Sequence, residues 1–334
     1  MVWPQAAALL VAGWLMIGPP EVYQPTVPWA KPMNNSAVGA QTDKLRNQAE
    51  TDQGAFRRLR ELADGGSAMA QFAMGTLYDP DFRLSKIVSP DINTSMAWYE
   101  KAAAQGHSIA QQDLAAKYYQ GRWVPMNYNR AIYWFQKAAD QGNRVAERIL
   151  GIANEEGRGV AVNKTVALEW YKRAADHGDA IAETKIGDAY LFGNGFAKSY
   201  TEAARWFIRA AAQGNAYADM RIGECYLYGH GVEKNLEHAF DYFHKAAQGG
   251  DGDGQFYLGD MYDKGLATPV DVELAFDWFK KGAENGNSYA QNALGLAYAN
   301  GRGVRRNIGV ARYWLQKAKD NGSADAARNL ANLP

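Results

Sequence analysis

A 36-residue period runs through most of this chain. Glycines open successive segments at Gly66, Gly106, Gly142, Gly178, Gly214, Gly250, Gly286 and Gly322. The first step is 40 residues and every later one is 36. A fixed period in this range predicts stacked repeats, because each copy hides its apolar side only against a neighbour.

Each segment holds two helical patterns. The first has a large apolar column at Met74, Leu114, Leu150, Ile186, Ile222, Leu258, Leu294 and Leu330. Four residues earlier stand Ala70, Ala110, Ala146, Ala182, Ala218, Gly254, Ala290 and Ala326. Tyrosines follow four residues later, at Tyr78, Tyr118, Tyr190, Tyr226, Tyr262 and Tyr298. Apolar residues four apart share one face of a helix. Gly75, Gly151, Gly187, Gly223, Gly259 and Gly295 sit just after the large column. A mid-helix glycine costs about 1 kcal/mol against alanine, so its repetition predicts a closely approaching neighbour.

The second pattern repeats an aromatic at Trp98, Trp134, Trp170, Trp206, Tyr242, Trp278 and Trp314. These are read as core anchors, each worth about 3–5 kcal/mol on truncation to alanine. Polar residues that cap helix starts precede both patterns. They are Asp91, Asn127, Asn163, Ser199, Asn235, Asp271 and Asn307 for the second helix, and Asn143, Asp179, Asn215, Asp251, Asn287 and Ser323 for the first. Such side chains accept hydrogen bonds from the unpaired amides of the first turn. His107 is the odd residue in this column. Turns such as Gly157-Arg158-Gly159 and Gly229-His230-Gly231 join the two helices, with glycine expected at positive φ.

The strings AIYWFQKAADQGN (131–143), ALEWYKRAADHGD (167–179) and AQNALGLAYANGRGV (290–304) resemble the Sel-one-like repeat (SLR) family, relatives of the tetratricopeptide repeats. The resemblance covers residues 66–333. It implies an all-α fold, an α/α right-handed superhelix or solenoid of about seven helix-turn-helix units with capping helices. It also implies that the first helices line a concave face. SLR relatives serve in complex assembly, signalling, polysaccharide export and host contact.

The expected organisation is a signal peptide or hydrophobic anchor at 1–18 and a proline-rich linker at 19–42. An N-terminal capping helix at 43–65, seven units at 66–321 and a C-terminal cap at 322–334 complete it. The apolar run at residues 6–17 is shorter than the roughly 20 residues a membrane-spanning helix needs. No lysine or arginine precedes Lys31. Residues 79–91 are an insertion in the first unit, expected as a longer surface loop.

Equal numbers of acidic and basic residues, 36 each, give no basic footprint for nucleic acid. The single cysteine, Cys225, permits no internal disulfide. Its position matches Ala153, Ala189, Met261 and Ala297, a small buried column, so it reads as a packed thiol. His230 reads as a solvated turn residue and His244 as lying on an exposed helix face. No histidine pair has metal-ligand spacing, so no metal or other cofactor is expected. The Gly-x-Gly turns lack the phosphate-binding fingerprint, and no nucleophile elbow or paired carboxylates stand out. We therefore expect a protein that is not an enzyme. Certain cysteine-rich SLR proteins have been described as hydrolases, but they pair cysteines in each repeat and this chain does not.

A rotation of 100° per residue leaves one face of each first helix opposite the apolar column. In the central units that face includes Asp188, Phe192, Tyr217, Met220, Glu224, Tyr228, Phe256, Asp260, Asp263 and Tyr289. Aromatics beside an acidic row predict a groove for a protein or peptide partner, preferably a basic one. The expected role is an interaction scaffold or adaptor of the bacterial cell envelope, with a possible membrane tether at the N-terminus. The alternative is a periplasmic immunity protein that neutralises a toxic enzyme.

Overall fold

The structure is a computed structural model that describes residues 37–82 and 85–333. The expected signal or anchor at 1–18, and the linker as far as residue 36, lie outside the described residues. Among the described residues there are seventeen α-helices and no strand, as the all-α reading requires. They fall into two compact units that meet in sequence at Asp179 and Ala180.

In the first unit α1 (Ala37–Ala49) and α2 (Gln53–Asp64) precede three helix pairs. These pairs are α3 (Ala68–Tyr78) with α4 (Ile92–Ala104), α5 (Ser108–Gln120) with α6 (Tyr128–Ala139), and α7 (Arg144–Glu156) with α8 (Lys164–Asp176). The second unit holds four pairs and a closing helix. Its pairs are α9 (Ala180–Phe192) with α10 (Tyr200–Ala211), α11 (Ala216–Tyr228) with α12 (Leu236–Gln248), α13 (Gly252–Lys264) with α14 (Val272–Glu284), and α15 (Ser288–Asn300) with α16 (Ile308–Asp320). Helix α17 (Ala324–Ala331) follows. The stretch 43–65, read from sequence as one helix, contains the end of α1, a turn and the whole of α2.

The polar caps act as their residue types dictate. Asn235 accepts from the His238 amide at 2.9 Å, and Asp251 from the Gly254 amide at 2.7 Å. His107 is also a cap, because its Nδ1 accepts from the Ala110 amide at 3.1 Å. That bond requires an unprotonated Nδ1, and burial pushes the His107 pKa down to about 4.

The repeated helix glycines do mark a close approach, but not by the tryptophans. A Cβ on Gly223 would lie 2.7 Å from the Phe243 ring, and one on Gly151 would lie 2.5 Å from Tyr171. The core anchor is thus the residue after each tryptophan or, in one repeat, after Tyr242: Tyr99, Phe135, Tyr171, Phe207, Phe243, Phe279 and Leu315, all buried. One further residue turns the side chain by about 100° towards the facing helix. Trp98 is buried, but Trp134, Trp170, Trp206, Tyr242, Trp278 and Trp314 are only half-buried. Basic residues three positions on cover several of these rings, with Arg209 4.5 Å from Trp206 and Lys281 3.9 Å from Trp278.

The insertion is no simple surface loop at its start. Asp79 is fully buried, accepting from the Tyr99 hydroxyl at 3.0 Å and from Lys117 at 2.8 Å. Asp81 pairs with Lys117 and Arg122 and accepts from the Trp123 indole N–H at 2.8 Å. Trp123 has φ 71°, in a turn position where Gly159, Gly195, Gly231 and Gly303 stand in other repeats. An aromatic residue in that region is strained and needs compensating contacts. The indole bond to Asp81 is one.

A buried polar ladder also joins successive pairs. Gln255 donates to the Ala247 carbonyl at 3.3 Å and accepts from Asn285 at 3.0 Å. Gln291 does the same with Ala283 and Asn321, at 3.1 and 2.9 Å. These bonds give a second partner to helix-end carbonyls that already accept from the Gly250 and Gly286 amides.

Candidate functional site

In the second unit, neighbouring first helices touch directly: α13 lies against both α11 and α15. The first helices accordingly bury more of their surface than the second helices, which bury a narrower stripe. Helix α11 buries Ala218, Asp219, Met220, Arg221, Ile222, Gly223 and Cys225, while α12 buries only Ala239, Phe243, Ala246 and Ala247.

This contact divides the ten residues expected to bind a partner. Met220 is 2% exposed and belongs to the core around Phe243 and Leu258, contrary to its placement on a free face. Asp188 is 7% exposed, also contrary to that placement. The reason in both cases is the adjoining first helix, which covers what a lone helix would leave open. Phe192, Tyr217, Glu224, Phe256, Asp260 and Asp263 are half-buried. Tyr228 and Tyr289 remain open, at 49% and 48% exposure.

The acidic row is largely partnered from within. The Tyr217 hydroxyl donates to Asp188 at 2.9 Å and accepts from Arg221 Nε at 2.7 Å. Arg221 also lies 3.4 Å from Asp188 and donates to Glu224 at 3.0 Å. Glu224 then accepts from the Tyr257 hydroxyl at 2.8 Å. A continuous polar chain therefore crosses α9, α11 and α13. Farther along, Lys264 holds Asp260 at 2.6 Å, and Arg302 pairs with Asp263.

Burial opposes the Arg221 charge, but Tyr217, Asp188 and Glu224 outweigh it and keep the guanidinium firmly protonated. Burial pushes the Asp188 carboxyl above its ordinary range, with Arg221 and Tyr217 pulling it back. Burial, Glu224 and Tyr228 push the Tyr257 hydroxyl well upward.

Arg221 and Tyr257 were missing from the sequence-based set. Tyr217, Arg221 and Glu224 are spaced by four and three, so their shared helix face was readable. Their reach to Asp188 and Tyr257 on other helices was not.

The open part of the face is aromatic. Phe256 lies 5.6 Å from Tyr289 and 5.5 Å from Tyr257, centroid to centroid. Tyr257 stacks on buried Phe243 at 4.6 Å, which fixes its plane. Burial raises the Tyr228 hydroxyl pKa, with Glu224 and Asp260 adding to the rise. Burial raises that of Tyr289, with Asp253, Asp325 and Glu224 adding.

The remaining candidates for chemistry are packed or stacked. Cys225 is buried, and burial pushes its thiol up to about 12, as a packed cysteine should behave. His230 is half-buried rather than solvated. Its ring stacks 4.6 Å from Tyr200 and lies 5.7 Å from Tyr228. His244 is half-buried too, between Phe240 at 6.2 Å and Trp278 at 6.5 Å. Among the described residues no group of three His, Cys, Asp or Glu has metal-binding geometry. Nor is any helix there long and apolar enough to cross a membrane.

The Sel1 repeat model matches seven times, at residues 68–107, 108–143, 145–179, 180–215, 216–251, 252–287 and 288–323. The chain belongs to the Sel1 repeat family. Sel1 repeat proteins are in general non-catalytic protein-interaction scaffolds. No curated protein matches the chain. Among solved structures it is similar to a protective antigen of uropathogenic Escherichia coli with an SLR fold, at 34% identity and a TM-score of 0.73. That match covers 83% of this chain and 58% of the antigen, so this chain spans little more than half the antigen's length. It is also similar to a Sel1 repeat protein from Oxalobacter formigenes, at 29% identity and a TM-score of 0.68, over 88% of each chain. The solenoid architecture implied by the family resemblance is thus shared with both.

Proposed function

We propose that this Sel1 repeat protein is a non-catalytic scaffold or adaptor that grips a segment of a partner protein along the first helices of its second unit. The observation that supports this most is the aromatic surface Tyr228–Phe256–Tyr289, open on one side and backed by the core on the other. Rigid aromatics with little conformational freedom to lose are effective contact residues. Phe192 on α9 is likewise half-buried, and the pairs Asp260–Lys264 and Asp263–Arg302 lie on α13 and the turns beside it. The apolar run at residues 6–17 supports a place in the bacterial cell envelope, reached by export or held by a tether.

The test uses the full chain as bait against envelope extract, beside a Tyr228→Ala, Phe256→Ala double variant of unchanged circular dichroism. The expected result is a partner retained by the parent chain and lost by the variant. Equal capture by both would place the contact elsewhere and end the groove reading. A captured enzyme that stops turning over when bound would make the scaffold a neutraliser, the alternative weighed from sequence.

A further inference from the structure

We infer that the second unit's aromatic face is a receptor for a cationic side chain, taking a lysine or arginine of the partner segment between Tyr228, Tyr257 and Tyr289. This rests on the groove reading above and adds the chemistry of the contact.

Three observations lead to it. First, the rings come from three successive first helices and form a linked row. Tyr228 ends α11, Phe256 and Tyr257 lie on α13, and Tyr289 begins α15. Phe256 bridges Tyr257 and Tyr289, and the Tyr228 and Tyr257 hydroxyls are within hydrogen-bonding reach of each other. An aromatic face attracts a cation held within about 6 Å of its centre.

Second, carboxylates stand beside individual rings. Glu224 accepts from Tyr257, and Asp253 accepts from Asn287 at 2.6 Å beside Tyr289. Asp260 is already paired with Lys264 at 2.6 Å, so a partner's cation would have to compete with that lysine there.

Third, the nearest guanidinium is already committed. Arg221 is 8% exposed and bonded to Tyr217, Asp188 and Glu224. It cannot swing onto the open rings without abandoning buried carboxylates. Arg221 instead braces Glu224, and so helps to hold Tyr257 in place. A basic side chain arriving from outside would find rings and carboxylates prearranged, which lowers the ordering cost of binding.

The experiment uses the full chain labelled with 3-fluorotyrosine, its signals assigned through Tyr228→Phe and Tyr289→Phe. The probes are N-acetyl-arginine methylamide and its neutral isostere, N-acetyl-citrulline methylamide, each titrated through the millimolar range at low salt. The arginine compound should shift the Tyr228 and Tyr289 fluorine signals, and the citrulline compound should not. Tyr289→Leu should weaken the arginine response by about 2–5-fold, the effect of one exposed cation–ring contact. Equal shifts with both compounds would overturn the cationic receptor and leave the groove reading standing on apolar contact. No shift with either would also overturn it. The capture experiment decides the groove reading independently.

Discussion

Replacing Arg221 with methionine should destabilise the second unit strongly at neutral pH and much less in acid. Methionine keeps much of the side-chain stem but removes the guanidinium that serves Tyr217, Asp188 and Glu224. Removing one partner from a buried ion pair costs about 3–5 kcal/mol, because the other charge stays buried. The Tyr217 hydroxyl would still donate to Asp188, so the lower end, about 3 kcal/mol, is the expected loss. The pH dependence follows from Asp188, whose carboxyl is already raised by burial with Arg221 present. Without Arg221 it rises further above its unfolded value of about 3.9. The folded variant then binds a proton that the unfolded chain does not, so its stability grows as pH falls through the raised pKa. The deficit against the parent chain should therefore be larger at pH 7 than at pH 5. Urea unfolding at both pH values would measure it, followed by far-ultraviolet circular dichroism and by tryptophan fluorescence. Coincident transitions are needed before a single free energy is assigned to a repeat stack. Adding Asp188→Asn should recover part of the loss. A loss below about 1 kcal/mol, equal at both pH values, would refute the reasoning, because it would mean that Arg221 is screened by solvent and its charge is free for a partner.

Two further outcomes test the fold. Phe207→Ala should cost about 3–5 kcal/mol, since Phe207 is fully buried against Gly187, Ile222 and Cys225, whereas Trp206→Ala should cost about 1–2 kcal/mol despite removing more atoms. Urea midpoints would rank the two, and the reverse order would restore the tryptophan column as the anchor. His107 should make the first unit acid-sensitive: its folded pKa of about 4 lies below the ordinary 6.5, so its contribution is complete above about 6.5 and drains away towards pH 4. The gap between 6.5 and about 4 puts about 3 kcal/mol at stake, and hydrogen exchange in residues 108–120 should lose this slope in His107→Asn, which caps without titrating.

The 36-residue period by itself determined the class of fold, the number of helix pairs and nearly every helix start. These are local matters: Asn235 caps because its own side chain reaches the amide of His238. Column membership also identified Cys225 as packed, since its counterparts in other repeats are small or apolar. Tertiary structure decided what a single helix cannot express. It chose Phe207 over Trp206 and Phe243 over Tyr242, because the anchor is whichever ring points at the glycine of the facing helix. It buried Asp188 and Met220 beneath adjoining helices and tied Asp188 to Arg221, 33 positions away in sequence. Periodicity reports which residues share a face, but burial depends on what stands opposite that face, and here the open surface is what neighbouring first helices leave uncovered.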